Sequence, residues 1–248
     1  MIKNFVKRIA AFSGYKIEKQ IPFLLEHKNS LIQISFEHIL SELITSIHKC
    51  KFIQVGSNDG KLNDPLRKFV LKNFLEGIMI EPQSEIFQQL KENYEENVLD
   101  EIFFENLAID KKSGFKTLYT IKNPSNPEDL WAHAAASFDR SHIESMLTED
   151  SKGDDGGCIQ KLSVKCETFE YIIDKYSMEN LDLLQIDAEG YDFELIKMFP
   201  YSQVTPKIIH FEHIHLDHKD REECLKFLLN LGYSFAIEYF DITAVHQN

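Results

Sequence analysis

Short apolar segments that alternate with helical segments are the feature that most limits the fold of this chain. Six runs have the length of buried strands: FIQVG (52–56), GIMIE (77–81), IFFENLAI (102–109), LDLLQID (181–187), PKIIHFE (206–212) and YSFAIEY (233–239). Most are separated by stretches with helical spacing of apolar residues, such as PLRKFVLKNFL, SEIFQQLKENY, TFEYIIDKY, YDFELIKMF and REECLKFLLNL. This alternation predicts an α/β fold, in which helices cover both faces of a mostly parallel sheet.

The C-terminal end of the chain indicates a different strand arrangement. In the stretch SFAIEYFDITAVH only Phe240 and Asp241 separate two strand-like runs. So short a connection joins antiparallel strands, because parallel strands need a long crossover. We therefore expect a closing hairpin that adds an antiparallel strand to the sheet.

One large α/β domain accounts for most of the 248 residues. We place this domain at 50–248, after an N-terminal helical cap at 1–49 with helical apolar spacing at its start and again near Ser35 to His48. Basic residues among the first ten leave open a weak contact with an anionic membrane surface. A cap packed on the domain or on a partner chain is the favoured interpretation.

Charge and cysteine content exclude several classes of protein. With 27 Lys and Arg against 40 Asp and Glu, the formal net charge is -13, so we expect no nucleic-acid substrate. No apolar run reaches the roughly 18 residues of a transmembrane helix, and the first residues lack a secretory signal, so we expect a cytoplasmic protein. The four cysteines include no C-x-x-C pair, which argues against a zinc ribbon or a disulfide framework.

The first motif is FIQVGSNDGK, in which a predicted strand enters a turn containing Gly56 and Gly60. Glycine lets the backbone turn sharply and approach a ligand closely. The spacing differs from G-x-G-x-x-G, and the absence of a Lys-Ser/Thr pair excludes a P-loop. Because such turns are also common in proteins without a ligand, this motif indicates a ligand site only in combination with the other motifs.

Acidic residues end two of the other predicted strands. Glu81 lies 21 positions beyond Gly60, where a carboxylate can accept hydrogen bonds from both hydroxyls of a ribose. Asp187, Glu189 and Gly190 lie where LDLLQID turns into a helix. In open α/β sheets ligands bind beyond these carboxyl ends, and crowded carboxylates there bind, orient or deprotonate something. A solvated acid and a helix N-cap are the structural alternatives.

The segments VGSNDG, IEP, NLAI, ASFDRSH and IDAEGYD, in that order, resemble the FkbM family of methyltransferases. The resemblance extends over about Phe52 to Val245. It implies a Rossmann-like class I methyltransferase fold with a seven-stranded, mostly parallel sheet whose last strand is antiparallel. It also implies S-adenosyl-L-methionine as cofactor, S-adenosyl-L-homocysteine as product, and a hydroxyl of a sugar, polyketide or other small metabolite as acceptor.

The resemblance also implies which residues bind the cofactor. The glycine turn would hold the methionine portion and the ribose, the acid ending the second strand would bind the ribose hydroxyls, and the residues after it would lie beside the adenine. The end of the third strand would meet the adenine edge, and the acids of IDAEGYD would face the methionine amine and the transfer site. The residues concerned are Gly56, Ser57, Asn58, Asp59, Gly60, Glu81, Pro82, Gln83, Asn106, Ala108, Asp187 and Glu189.

The histidine-rich segment HFEHIHLDH follows the fifth predicted strand. On an extended strand Phe211, His213 and His215 would share one face. His213 and His215 together with Asp187 have the chemistry of metal ligands. The favoured interpretation is that no metal is bound and that Glu212, His213 and His215 line the pocket of the acceptor.

The stretch 122–158 is expected to be an insert loop over the active site, with a short helix near Asp139 to Leu147. Loops over strand ends often determine specificity. Its candidates for contact with the acceptor are His133, Ser137, Asp139, Arg140 and His142. A plain surface loop is the equally weighted alternative.

An alcohol acceptor loses a proton during methyl transfer, so a general base is required near it. We assign this role to Asp187, with Glu189 or His213 as substitutes. The expected function is O-methylation of a small polar molecule, such as a sugar or glycan precursor, and an oligomer remains open. The alternatives are a nucleotide-sugar or NAD-linked enzyme and a non-catalytic cofactor-binding protein with the same fold.

Overall fold

The computed structural model describes residues 34–47, 49–94, 101–121, 135–146 and 159–247. Its helices are α1 (Phe36–Ile47), α2 (Arg67–Leu71), α3 (Ser84–Tyr94), α4 (Arg140–Met146), α5 (Phe169–Tyr176), α6 (Asp192–Met198) and α7 (His218–Asn230). Its strands are β1 (Cys50–Val55), β2 (Leu75–Ile80), β3 (Ile102–Glu105), β4 (Ala108–Ile109), β5 (Gly114–Ile121), β6 (Ala136–Ser137), β7 (Ile159–Glu167), β8 (Leu183–Ile186), β9 (Ile208–Glu212), β10 (Tyr233–Ile237) and β11 (Asp241–His246).

The main sheet of the described residues is mixed and has the strand order β10-β11-β9-β8-β1-β2-β3. Strands β3, β2, β1, β8 and β9 are parallel, and β11 is antiparallel to both of its neighbours. The central strands are apolar and almost wholly buried, as the continuous apolar runs predicted. The expected hairpin is formed by β10 and β11, although its connection is 238–240 rather than Phe240 and Asp241.

Helices cover both faces of the main sheet, as an α/β fold requires. Helices α5, α6 and α7 pack on one face, against a core that includes Ile53, Ile78 and Ile209. On the other face, α1, α2 and α3 pack on Phe52, Met79 and other residues of the central strands. Each strand thus contributes alternate side chains to two separate apolar cores.

Helix α1 agrees with the second helix predicted for the N-terminal segment. Its residues Phe36, Leu40 and Ile44 are buried, and the Phe36 ring stacks on His210 with 3.8 Å between the ring centroids. The first amphipathic stretch of the predicted cap lies outside the described residues. In the part of the chain that the structure describes, no helix has the length and apolarity needed to cross a membrane.

The run 102–109 is not one strand, as predicted, but two strands in different sheets. Strand β3 joins the main sheet, whereas β4 belongs to a four-stranded sheet of order β4-β7-β5-β6. The chain leaves the main sheet at Asn106, whose side-chain amide donates to the carbonyls of Glu81 (2.9 Å) and Pro82 (3.2 Å). These side-chain hydrogen bonds replace the strand pairing that would have continued the run.

The second sheet consists mainly of β5 and β7, neither of which the sequence analysis identified. They pair antiparallel from Gly114 opposite Cys166 to Ile121 opposite Ile159. Strand β5 carries Lys and Thr and strand β7 carries Lys and Ser between apolar residues, and both expose much of one face. This sheet borders the carboxyl ends of the main-sheet strands, because Ala108, Leu118 and Ser137 line the cleft found there.

Candidate active site

A cleft lies at the carboxyl ends of β1, β2 and β8. This is where open α/β sheets bind ligands. The lining residues include predicted site positions from all three strand ends and from the insert, namely Gly56, Asn58, Glu81, Pro82, Gln83, Ala108, Ser137, Asp187 and Glu189.

Gly56 lets the ends of β1 and β8 approach each other closely. Its φ is +79°, and a Cβ atom at this position would lie 1.8 Å from the carbonyl oxygen of Asp187. The next residue, Ser57, is buried, and its hydroxyl accepts a hydrogen bond from the Ile80 amide (3.1 Å). Together they join the turn to both neighbouring strands, so that the backbone rather than side chains forms this wall of the cleft.

Asn58 lines the cleft, whereas Asp59 and Gly60 shape the loop and do not line it. The Asp59 carboxylate accepts hydrogen bonds from the amides of Lys61 (2.9 Å) and Leu62 (2.8 Å), which is the role of a turn acid. Gly60 has φ +65°, and a Cβ atom there would lie 2.5 Å from the side chains of Leu90 and Tyr94. Asp59 and Gly60 therefore act on loop conformation.

A partly buried hydrogen-bonded group that the sequence analysis missed anchors this loop to the core. The Asp64 carboxylate accepts from Gln54 Nε2 (3.1 Å), the Leu66 amide (2.9 Å) and the Tyr94 hydroxyl (2.9 Å). Burial raises the pKa of Asp64, and these donors oppose that shift. The sequence signal was an Asp-Pro pair before a helix, which is typical of helix starts and turns and does not by itself indicate a site.

Glu81 is buried at the end of β2, and its carboxylate accepts hydrogen bonds from the backbone on two sides. Its Oε2 accepts from the Asn58 amide (3.1 Å) and its Oε1 from the Gln83 amide (2.8 Å). Burial raises the pKa of Glu81 to about 7, whereas the hydrogen bonds from the Gln83 and Asn58 amides lower it. Asn106 does not line the cleft but supports this loop through the carbonyl of Glu81.

Asp187 follows β8 directly, lines the cleft and is exposed. Burial raises the pKa of Asp187, and the neighbouring carboxylates of Asp192 and Glu189 raise it further. Asp192 is buried and accepts a hydrogen bond from the Gly190 amide (3.2 Å), which shapes the turn after β8. No Lys or Arg within the described ranges forms an ion pair with Asp187, Glu189 or Asp192.

Glu189 is held in a left-handed backbone conformation, with φ +48°. For a residue other than glycine this conformation costs about 1–2 kcal/mol, so the surrounding structure must enforce it. Its carboxylate Oε2 lies 3.3 Å from His215 Nε2 and 3.9 Å from His142 Nε2. His215 Nε2 is also 3.6 Å from Glu212 Oε2.

Two of these side chains, His215 and Glu212, have shifted pKa values. Burial lowers the pKa of His215, although Glu189 raises it, and His142 lowers it further. Burial raises the pKa of Glu212, and the carboxylates of Asp187 and Glu189 add to this effect. Unless another charged group binds beside them, Glu212 therefore favours its protonated form and His215 favours its neutral form.

His213 and His215 do not share a face, contrary to the expectation from strand periodicity. Strand β9 ends at Glu212, so the alternation of side chains along the strand does not extend to His213 and His215. His213 is 2% exposed and does not line the cleft, whereas His215 is exposed and reaches Glu189. The metal hypothesis that combined His213, His215 and Asp187 is thus not supported by their positions.

The insert contributes to the site through part of its predicted residues. Ser137 lines the cleft, and His142 reaches Glu189. Asp139 instead caps α4 through the Ser141 amide (2.8 Å), and Arg140 pairs with Glu144 at 2.8 Å on the surface. His133 lies outside the described residues.

An aromatic pair that the sequence analysis did not identify forms another wall of the cleft. Phe138 and Tyr191 pack edge to face, with 5.4 Å between the ring centroids. The Lys116 ammonium lies 4.1 Å from the centroid of Phe138 and 5.0 Å from that of Tyr191, and it forms an ion pair with Asp110 (3.1 Å). This cation–π contact fastens the second sheet to the turn after β8.

Comparison with solved structures shows a related fold. Methyltransferase FkbM from Methylobacillus flagellatus KT has 14% sequence identity and a TM-score of 0.51, and the match covers 80% of this chain and 44% of that chain. A candidate caffeoyl-CoA O-methyltransferase from Staphylococcus aureus has 10% identity and a TM-score of 0.45, with 98% of both chains covered. A fibrillarin/Nop5p complex has 10% identity and a TM-score of 0.40, covering 81% of this chain and 73% of that chain. No curated protein matches by sequence.

The family comparison defines the class of protein to which the chain belongs. The Methyltransferase FkbM domain model matches residues 54–235, well over half of the chain. The chain therefore belongs to the FkbM methyltransferase family, as the resemblance of its motifs predicted.

Proposed function

We propose that the protein uses S-adenosyl-L-methionine to methylate a hydroxyl of a small polar acceptor, such as a sugar or glycan precursor. The observation that carries this proposal is Glu81, a buried carboxylate at the end of β2 that faces the cleft. Two backbone amides hold it in place, so it is already oriented to accept hydrogen bonds from ribose hydroxyls.

The rest of the cleft fits such a cofactor by shape and charge. The backbone at Gly56 lines the cleft, and the absence of a side chain there brings the ends of β1 and β8 together at this wall. The apolar side chains of Leu107, Ile109 and Leu118 offer a surface for a flat base. When bound, the cofactor would supply the methyl group from its sulfonium.

The acceptor end of the cleft has the groups needed to remove a proton. Asp187 faces the cleft, and its raised pKa brings it closer to the pH at which a general base works best. We assign the base to Asp187, with Glu189 beside it. His213 is the weaker choice for this role because it is buried and does not line the cleft.

The NAD-linked and nucleotide-sugar alternatives require a pyrophosphate site, which is usually a helix N-terminus directly after the glycine turn. Here residues 56–66 form a loop, and α2 is only five residues long. The non-catalytic alternative predicts cofactor binding without turnover. It gives no reason for unpaired acids to be gathered at the acceptor end.

The test is calorimetric titration of the protein with S-adenosyl-L-homocysteine at pH 8, using Glu81→Gln and the matched control Glu76→Gln. Glu76 lies on the same strand but outside the cleft, in long ion pairs with Lys49 and Lys51 (3.9 Å each). We expect binding in the wild type and the control, and about 100-fold weaker binding in Glu81→Gln, since two charge-assisted hydrogen bonds weaken.

Turnover is then measured as S-adenosyl-L-homocysteine released with a panel of sugars and glycan precursors. Asp187→Asn should lose about 100-fold or more in turnover at saturating S-adenosyl-L-methionine, as expected for a general base. A folded wild type that does not bind S-adenosyl-L-homocysteine would refute the assigned cofactor. Normal turnover by Asp187→Asn would refute the assigned base.

A further inference from the structure

Three metal-binding side chains converge beside the acceptor end of the cleft. His142 comes from α4, Glu189 from the turn after β8, and His215 from the segment after β9. One ligand atom from each side chain lies within 4.8 Å of the other two. Ligands that converge from separate elements are the arrangement a bound ion requires.

The distances are close to those around a tetrahedral ion. Two ligands that are each about 2.1 Å from a zinc ion, at the tetrahedral angle, lie about 3.4 Å apart. His215 Nε2 and Glu189 Oε2 are 3.3 Å apart, and His142 Nε2 is 3.9 Å from the same oxygen. The distance from His142 to Glu189 is longer than this ideal value, so His142 would have to move closer to the ion.

Hydrogen bonding gives a second and independent indication. His142 Nε2, Glu189 Oε2 and Glu212 Oε2 are buried and have no hydrogen-bond partner among the described residues. Buried polar atoms are normally paired, so three such atoms in one place call for a common partner. The strained backbone of Glu189 directs its carboxylate to this point.

The charge of the surroundings is complementary to a cation. Glu189 and Glu212 have no Lys or Arg within 4.0 Å in the part of the chain that the structure describes; their only ion-pair partners there are His142 and His215. A divalent ion would stabilise the ionised forms of both carboxyl groups. Residue 190 is a glycine, so no side chain occupies the space next to His142 and His215.

We propose that His142, Glu189 and His215 bind a divalent transition-metal ion, with Glu212 beside it. Two imidazoles and one carboxylate suit Zn²⁺ and similar ions, whereas Mg²⁺ and Ca²⁺ prefer oxygen ligands. Because Glu189 also lines the cleft, an open coordination position can take the acceptor hydroxyl. A bound cation lowers the pKa of that hydroxyl, so that a carboxylate can remove its proton. This use rests on the proposed methyl transfer, but ion binding does not.

The test is metal titration of the untagged, full-length protein after removal of bound ions with EDTA and dialysis. Zn²⁺, Mn²⁺ and Mg²⁺ are added separately, and calorimetry and elemental analysis give the affinity and the stoichiometry. We expect one Zn²⁺ per chain with micromolar or tighter affinity, and much weaker binding of Mg²⁺.

Variants locate the bound ion and separate the alternatives. His142→Ala, His215→Ala and Glu189→Gln should each weaken Zn²⁺ binding by at least about tenfold. His218→Ala is the matched control, because this exposed histidine on α7 pairs with Glu222 (3.9 Å) outside the cluster. Circular dichroism confirms folding, and three variants ensure that one unfolded protein does not prevent a conclusion.

Binding of S-adenosyl-L-homocysteine is measured on the same samples, so that the two proposals are tested separately. Loss of Zn²⁺ binding in His142→Ala and His215→Ala with intact binding of S-adenosyl-L-homocysteine would support the ion site. Glu189→Gln changes a residue that lines the cleft, so only its Zn²⁺ binding is compared. A wild type that binds no Zn²⁺, or cluster variants that bind it as His218→Ala does, would overturn it. The ion site would stand even if S-adenosyl-L-homocysteine did not bind.

Discussion

The affinity for S-adenosyl-L-homocysteine should depend on pH through Glu81. Burial raises the pKa of this carboxyl to about 7, so it is mostly protonated at pH 6 and mostly ionised at pH 8. Only the ionised form can accept hydrogen bonds from both ribose hydroxyls through its two oxygens. Affinity should therefore increase as the pH rises through 7.

The size of this effect follows from the fraction of ionised carboxyl. With a pKa of about 7, roughly one tenth of Glu81 is ionised at pH 6 and roughly nine tenths at pH 8. If the ligand binds only the ionised form, its affinity at pH 8 is about ten times that at pH 6. At pH 6, binding should also release close to one proton, because it shifts Glu81 to its ionised form.

The assay is calorimetric titration at pH 6, 7 and 8 in pairs of buffers that differ in ionisation enthalpy. The affinity gives the pH dependence, and the difference between buffers gives the number of protons released. Glu81→Gln removes this titration, but Asp187, Asp192 and Glu212 remain near the cleft with raised pKa values. The contribution of Glu81 is therefore the difference between the wild type and this variant.

One result would refute this prediction. If the pH dependence of the affinity is the same in the wild type and in Glu81→Gln, Glu81 does not bind the ligand in its ionised form. The same affinity in both proteins at pH 8 would also remove Glu81 from the cofactor site. Glu76→Gln should follow the wild type at each pH, since Glu76 does not line the cleft.

Two further predictions concern stability. Gly56→Ala should lower the free energy of unfolding, measured with a denaturant series, by about 2 kcal/mol more than Gly190→Ala does. Both glycines have a positive φ, but only at Gly56 would a Cβ atom clash with the backbone. Equal losses would show that φ alone matters. Tyr94→Phe should lower the melting temperature by about 3–6 °C in calorimetry, because it removes a hydrogen bond of about 1.5 kcal/mol to the partly buried Asp64 carboxylate. An unchanged melting temperature would mean that the phenol contributes nothing to anchoring the loop.

The main sheet could be predicted because its strands are buried on both faces. Residues such as Phe52 and Ile53 in β1 are both apolar, since each faces a different core. The second sheet escaped prediction because β5 and β7 mix Lys, Thr and Ser with apolar residues and are only half buried. The break at Asn106 was hidden as well, because it depends on hydrogen bonds to a distant loop.

The residues at one end of the cleft belong to local sequence motifs, whereas those at the other end come from distant parts of the sequence. Gly56 and Glu81 each follow a strand directly, so a local motif reveals their place at the carboxyl end of the sheet. The site of His142, Glu189 and His215 is assembled from the insert and two separate turns, and its geometry depends on where β9 ends and on the left-handed conformation of Glu189. No pattern of local spacing contains that information, which is why strand periodicity paired His215 with His213 rather than with Glu189. The proposed cofactor end is thus encoded by single strand–turn units, whereas the proposed acceptor end depends on how the insert packs.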